Sequence, residues 1–366
     1  VNQPIFVVLA EGKLGLETSK TAASVVRYLP DRVAALIDSR HAGLTARDVL
    51  GCGGGIPVVA SLAQALEASG REPQALLVGI ANRGGTLPPE HRSFLLDAIE
   101  AGLDVWSGLH ERLAADPELV RRASERGVRL RDLRDAPAGL PVGTGRARET
   151  SGFRVLTVGT DCNIGKMTAS LELRSALRSR GVDARFAGTG QSGIVIDGAG
   201  IPVDAVVSDF VSGAAETITL QAAQGADVVL IEGQGSLFHP GYSAVTLGLM
   251  HGSMPHAMIL CWMPGRSRVF GGGYDWLELP TPEVAIAAYE EAMRWAAPDL
   301  ESRVIALSAN TYDLPEEDAR LWIARAGEAT GLPSTDPVRF GAEPLADAVL
   351  DARRAAMPAL EAQSPS

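Results

Sequence analysis

Cysteine is scarce in this chain of 366 residues, which has only Cys52, Cys162 and Cys261. They lie far apart, with no Cys-x-x-Cys pair and no Cys/His spacing suited to zinc, so a disulfide framework and a zinc module are excluded. Three reduced thiols suit a cytoplasmic protein. Long apolar runs are also missing: none approaches the roughly 18 residues of a membrane helix. The start, PIFVVLAEGK, has neither the basic beginning nor the cleavage site of a signal peptide and reads as a first strand. Positive charge is in deficit, with Lys+Arg 33 against Asp+Glu 44 and a net charge of −11. The basic stripe of a nucleic-acid binder is absent, and the acidity disfavours anionic membranes. There is no internal repeat and no low-complexity tract.

What is present is apolar mass: 46% of the residues are hydrophobic and 21% charged. The length exceeds one ordinary core and predicts two domains. Apolar runs at 5–10, 32–37, 56–60 and 75–80 alternate with helical patterns at 20–28 and 89–101. The runs are continuous Val/Ile/Leu, as in parallel strands buried on both faces. Residues 136–152, APAGLPVGTGRARETSG, lose this texture and read as the domain junction. A second α/β series follows, with strands at 155–158, 228–231, 258–261 and 304–307 and helices at 167–180, 283–296 and 316–330. The final EAQSPS reads as a frayed end.

The strongest local signal is VLTVGTDCNIGKMTAS at 155–170. An apolar strand runs into Gly159, a polar loop follows, and Gly165-Lys166 opens a helix. Loop N–H groups can cradle a phosphate, the helix N-terminus adds partial positive charge, and the lysine adds a full one. The expected binding set is Gly159, Thr160, Asp161, Asn163, Ile164, Gly165, Lys166, Met167 and Thr168. Five residues separate the glycines where the standard pattern has four, and Met167 replaces the hydroxyl that would bind Mg²⁺. Thr168 comes one place later. The Gly-Thr-Asp opening with its longer spacer resembles dethiobiotin synthetase and its relatives, which use ATP to activate carboxyl-type groups.

Polar clusters follow other apolar runs in the same half. Residues 187–193 read as a glycine-rich loop offering Thr189, Gln191 and Ser192. Asp204, Asp209 and Glu216 come next, then VVLIEGQGSLFHP, with Glu232, Gln234, Ser236 and His239 after a strand. Ligands of doubly wound sheets bind beyond the carboxyl ends of the strands. Glu232 stands at such an end, like a Walker-B acid, and could hold a metal-bound water or act as a base. Asp209 and His239 are further catalytic candidates; each could instead be a cap, a surface charge or a turn residue. Gln191, Ser192, Gln234 and Ser236 are substrate-binding candidates. Arg266 could pair a phosphate or a substrate carboxylate, as could Arg83 in the other half. HGSMPH at 251–256 has two histidines but no third ligand, so no metal site is expected. Asn310 stands where a base could be read.

In the first half Asp38 ends a strand, where a Rossmann domain would hold a ribose. No Gly-x-Gly-x-x-Gly follows the first strand, so dinucleotide binding lacks its main support. Gly53-Gly54-Gly55 reads as a tight turn, and the loops at Asn82-Arg83-Gly84-Gly85 and Gly108-Leu109-His110-Glu111 are candidates for the substrate side.

With these residues in view, the chain resembles a two-domain P-loop family, long known only as a domain of unknown function, that includes D-glutamate N-acetyltransferase. The resemblance spans nearly the whole chain. It rests on Ala10-Glu11-Gly12, Ser19-Lys20-Thr21-Ala22, Gly108-Leu109-His110, Gly159-Thr160-Asp161 with Gly165-Lys166-Met167-Thr168, Thr189-Gly190-Gln191, and Glu232-Gly233-Gln234-Gly235-Ser236 with His239-Pro240. It implies an α/β chain with a Rossmann-like N-terminal domain at 1–140 and a P-loop NTPase-like doubly wound domain at 150–350. It implies transfer of an acetyl group from acetyl-CoA to the amine of a D-amino acid such as D-glutamate. CoA phosphates can sit on a P-loop without Mg²⁺, so Met167 would be tolerated. The competing expectation is an ATP/Mg²⁺-dependent carboxylate–amine ligase or kinase of the dethiobiotin synthetase type; a nucleotide-sensing binding protein ranks third. A small-molecule amino-acid substrate and a homo-oligomer are the expected partners.

Overall fold

The structure, a computed structural model, describes residues 3–363 apart from 69 and 82; for Arg83 and residues 357–363 it describes the backbone alone. The chain divides into two compact units, Val1–Asp135 with Gln191–Pro202, and Ala136–Gly190 with Val203–Ser366.

The first unit is built on β1 (Phe6–Leu9), β2 (Val33–Ile37), β3 (Val58–Val59), β4 (Ala75–Val78), β5 (Asp104–Ser107) and β6 (Leu130–Asp132). Their order is β3-β2-β1-β4-β5-β6, and every pair is parallel. This is the 3-2-1-4-5-6 order of a Rossmann sheet. β1, β2 and β4 are buried along their whole length, which is why they read as unbroken apolar runs. Ile194 and Val195 belong to the same core as Phe6, Leu36 and Leu77. The stretch expected to be a loop at 187–193 is therefore corrected in its second part, where Gln191–Asp197 is a helix of the first unit. Its buried Ile194 and Val195 gain more by packing on that core than the preceding glycines lose in order.

The second unit holds β7 (Phe153–Gly159), β8 (Ala184–Ala187), β9 (Val228–Ile231), β10 (Ala257–Trp262), β11 (Arg303–Ala309) and β12 (Ser334–Thr335). The order is β12-β11-β10-β7-β9-β8, again all parallel. The later strands build out from β7 in both directions, so the strand order reverses at β7 and a crevice forms at its carboxyl end. Helices Lys166–Ser179 and Glu343–Gln363 contribute Leu173, Leu177, Leu345 and Val349 to the core under this sheet. Of the terminal EAQSPS, residues 361–363 end the last helix, and 364–366 lie outside the described residues.

The paired-histidine motif is not a loop at its start. His251 sits in the last turn of helix Ser243–Ser253, with its Nε2 3.0 Å from the Ala292 carbonyl oxygen. His256 accepts from the Arg154 N–H at 3.0 Å and stacks on Phe153. Burial pushes its pKa down to about 3, so it is neutral and structural.

No helix among the described residues is long and apolar enough to cross a membrane.

Candidate functional site

β7 is buried from Phe153 to Gly159 and delivers the loop 160–165 to the point where strand order reverses. Gly159 is required there, because a Cβ would stand 2.5 Å from Cδ1 of Ile164. Ile164 is 1% exposed and packs with Ala169, Cys261 and Met263, so the loop folds over an apolar plug of its own. Asn163 at the exposed tip takes φ 56° and Gly165 φ 97°, backbone that turns the chain into helix Lys166–Ser179. The Gly159 carbonyl accepts from Ser236 Oγ at 2.8 Å and from the Tyr289 hydroxyl at 2.7 Å. Ser236 thus supports the loop from beneath. Thr160 is buried, its N–H bonded to the Cys261 carbonyl at 3.1 Å.

Lys166 is buried and donates its ammonium to the Asp161 carbonyl oxygen at 2.7 Å. Burial lowers its pKa, against the raising influence of nearby Cys162, Cys261, Asp161 and Glu232. The Asp161 carboxylate is fully buried. Its Oδ1 accepts from the Cys162 N–H and its Oδ2 from the Phe270 N–H, both at 2.7 Å, and Arg266 Nη1 stands 3.5 Å from Oδ2. Arg266 Nη1 also donates to the Cys162 carbonyl at 3.1 Å. Arg266 is therefore joined to the phosphate loop itself. Met167 and Thr168 are partly buried in the first turn of the helix. Asn310, after β11, lies near the loop, its Nδ2 3.8 Å from where a Cβ on Gly165 would stand.

Glu232 follows β9, the neighbour of β7, and is 4% exposed. Its Oε2 accepts from the backbone N–H groups of Thr189 at 2.8 Å and Gly190 at 3.1 Å. Burial pushes its pKa up to about 7; those two hydrogen bonds and the Lys166 charge hold it down, and the charge of Asp204 adds to the rise. The Thr189 hydroxyl donates to the Glu232 carbonyl at 2.7 Å and accepts from Gln234 Nε2 at 3.3 Å. Because the Gly190 N–H is given to Glu232, it is not available as an oxyanion donor. His239 is buried with Nε2 3.2 Å from the Phe270 carbonyl and Nδ1 accepting from the Gly241 N–H at 3.2 Å. Its ring rests against Tyr242 and Tyr274. Among the described residues one group has metal-ligand spacing, Asp161, Cys162 and His239. The bonds just given already engage both carboxylate oxygens and both ring nitrogens.

Other candidates fall elsewhere. Asp209 is exposed in the 3-10 turn Ser208–Phe210; Asp204 is the acid whose charge reaches Glu232. Glu216 is buried and accepts from the Thr144 and Arg146 N–H groups at 3.0 and 2.8 Å, tying down the junction segment. Gln191 and Ser192 belong to the first unit, where Gln191 Oε1 accepts from Arg134 at 3.0 Å and Ser192 Oγ lies 3.1 Å from Thr21 Oγ1. Arg83 is in the turn Arg83–Gly85, and its side chain lies outside the described residues, as does Asn82. Thr189, named in the glycine-rich stretch, is the residue whose N–H and hydroxyl hold Glu232 in place. Tyr289, which bonds the Gly159 carbonyl from inside helix Pro282–Ala296, has no signal in the local sequence.

In the first unit, Asp38 and the start of the first helix stand where a Rossmann domain would hold a dinucleotide. Asp38 is fully buried and accepts from the N–H groups of Gly12 at 3.1 Å and Leu14 at 3.2 Å, and lies 2.8 Å from His41 Nδ1. At the start of helix Lys20–Tyr28 the Ala22 N–H donates to the Gly79 carbonyl at 3.0 Å. Both the ribose acid and a helix-terminal donor are bound within the protein.

A Rossmann-ordered unit and a second parallel sheet with a glycine-lysine loop at its switch point define a two-domain P-loop protein. Residues 141–346 match the family described as "Domain of unknown function (DUF1611_C) P-loop domain", and residues 39–136 match "Domain of unknown function (DUF1611_N) Rossmann-like domain". The chain belongs to this DUF1611 family. It is 37% identical over 304 residues to a D-glutamate N-acetyltransferase of Tritonibacter scottomollicae, covering 82% of this chain and 87% of that one. It is 36% identical over 277 residues to a D-glutamate N-acetyltransferase of a Pseudoalteromonas species, covering 76% and 81%. The crystal structure of a DUF1611 family protein from Anabaena variabilis is similar, with a TM-score of 0.87 and 38% identity over 96% of this chain and 100% of that one.

Proposed function

We propose that this chain is an N-acetyltransferase that moves an acetyl group from acetyl-CoA to the amine of an amino acid, D-glutamate or a close analogue. The observation that carries this reading is Glu232, a buried carboxylate with its pKa pushed to about 7, just past the end of the strand next to the phosphate-loop strand. An amino-acid amine is an ammonium at neutral pH and must lose a proton before it can attack. A base with a pKa near 7 is matched to that task. The two relatives named D-glutamate N-acetyltransferase support the same chemistry.

Acetyl-CoA supplies a thioester whose carbonyl carbon forms the new C–N bond as the C–S bond breaks, and phosphates for the loop to hold. Lys166 and the N–H groups opening helix Lys166–Ser179 hold those phosphates in this reading. Thr189 and Gly190 fix Glu232 through Oε2, which leaves Oε1 to take the ammonium proton. Gln234, bonded to the Thr189 hydroxyl beside Glu232, positions the acceptor in this reading. Met167 costs such a reaction nothing, because no metal-bound phosphate has to leave.

Incubating the protein with acetyl-CoA and a panel of D- and L-amino acids tests this, read by thiol release and by the mass of the product. Thiol release matched by N-acetyl-D-glutamate is expected. No thiol release with any amino acid, with ADP formed from Mg–ATP in the presence of a carboxylate and an amine, would contradict it and support the ligase.

A further inference from the structure

Resting on the reading of residues 159–168 as a phosphate site, we propose that this P-loop binds a diphosphate without a divalent cation, and that Arg266 supplies the positive charge that Mg²⁺ supplies in P-loop NTPases. Mg²⁺ takes oxygen ligands in near-ideal octahedral geometry. The position after the loop lysine, which should offer a hydroxyl, is Met167, whose thioether is a soft and poor ligand for it. Asp161 cannot stand in, because both its oxygens accept backbone N–H bonds and Arg266 lies beside it. Of Glu232, Oε2 is taken by two backbone N–H groups, and Oε1 is the atom that takes the ammonium proton in the proposed reaction, so a metal there would compete with the base. The loop thus offers Mg²⁺ neither the usual hydroxyl nor a carboxylate free of other work.

A diphosphate on such a loop still carries more charge than Lys166 alone can balance. Arg266 is a second cation joined to the loop, through the Cys162 carbonyl at 3.1 Å. Its side chain is 16% exposed and lies over the Phe270 ring at 5.3 Å, which limits its freedom. Among the described residues only Nη1 is engaged in a hydrogen bond, so Nε and Nη2 keep donors for phosphate oxygens. A guanidinium suits this place because it stays charged when partly buried and presents its donors as a fork.

The test is titration calorimetry with ADP, pyrophosphate and CoA, each in excess EDTA and again in millimolar Mg²⁺, on the wild-type chain and on Arg266→Ala and Arg266→Lys. Thermal melts establish that the variants fold. ADP and pyrophosphate affinities that change less than about threefold between EDTA and Mg²⁺ are expected, with a loss of about tenfold or more in Arg266→Ala and partial recovery in Arg266→Lys. Binding that appears only with Mg²⁺ would overturn the proposal whatever the variants do. So would Arg266→Ala affinities equal to wild type, or no binding of any of the three probes. Metal-independent binding of ADP and pyrophosphate with CoA silent would sustain it while removing the acetyl-CoA reading, so the two fail separately.

Discussion

Gly233 lies against Thr157 so closely that a Cβ on it would stand 1.7 Å from the Thr157 carbonyl oxygen. The Gly233 N–H donates to the Thr157 hydroxyl at 3.0 Å, and the same imagined Cβ would meet Lys166 Cδ at 3.0 Å. The turn after Glu232 is thereby locked to the phosphate-loop strand. Gly233→Ala has no relief, because the obstacle is backbone; it should cost about 3 kcal/mol or more of stability. At Gly190 the first obstacle is the Gln234 side-chain amide at 2.4 Å, which can swing away. Gly190→Ala should therefore melt near wild type while raising KM for the acceptor. Denaturant unfolding of the two variants side by side checks this contrast.

With Glu232 as the proposed base, Glu232→Gln should lower kcat by about 10²–10⁴. Asp209, exposed on its turn, should tolerate Asp209→Ala with less than about a threefold change. In the wild type kcat/KM should rise with pH through an inflection near 7, as the carboxyl loses its proton. A pH–rate profile that is flat from 6 to 8, or a larger loss in Asp209→Ala than in Glu232→Gln, would move the base elsewhere.

The same raised pKa has a consequence for stability. Glu232 sits near 4.5 when exposed and about 7 when folded, so the folded state binds its proton more tightly. That contribution is fully present below the unfolded value and is lost as pH rises through about 7. Glu232→Gln, which mimics the protonated form, should therefore gain stability relative to wild type between pH 5 and pH 8, by on the order of 1–3 kcal/mol. Chemical denaturation at the two pH values measures the difference.

Asp38 holds the first unit's β1 loop through the Gly12 and Leu14 N–H groups. Asp38→Ala would leave a buried donor at Leu14 and a half-buried one at Gly12 without their partner and should cost about 2–4 kcal/mol. NADH should bind neither wild type nor variant, as read by its fluorescence.

How much of this was legible in the sequence depended on locality. β1, β4, β7 and β9 announced themselves because parallel strands buried on both faces are unbroken apolar runs. The phosphate loop was legible because its strand, glycines, lysine and helix follow one another directly. Glu232 was legible as an acid ending a buried strand. Helix Val211–Ala223 was not, because it is buried around most of its surface and shows no amphipathic stripe. Helix Gln191–Asp197 hid behind the glycines before it, and its place in the first core depends on partners far away in sequence. Tyr289 under Gly159, and the Phe270 N–H on Asp161, are separated from their partners by more than a hundred residues, and no spacing rule reaches that far.

The most direct test of the phosphate loop as the seat of the acyl donor is calorimetric titration of acetyl-CoA into wild type and Lys166→Ala. Lys166 is buried and its ammonium bonds the Asp161 carbonyl, so a thermal melt first establishes that Lys166→Ala is folded. Acetyl-CoA binding weakened by at least about tenfold in a folded Lys166→Ala is the predicted result. Equal acetyl-CoA affinity in both proteins, or tight Mg–ATP binding with acetyl-CoA silent in the wild type, would contradict it.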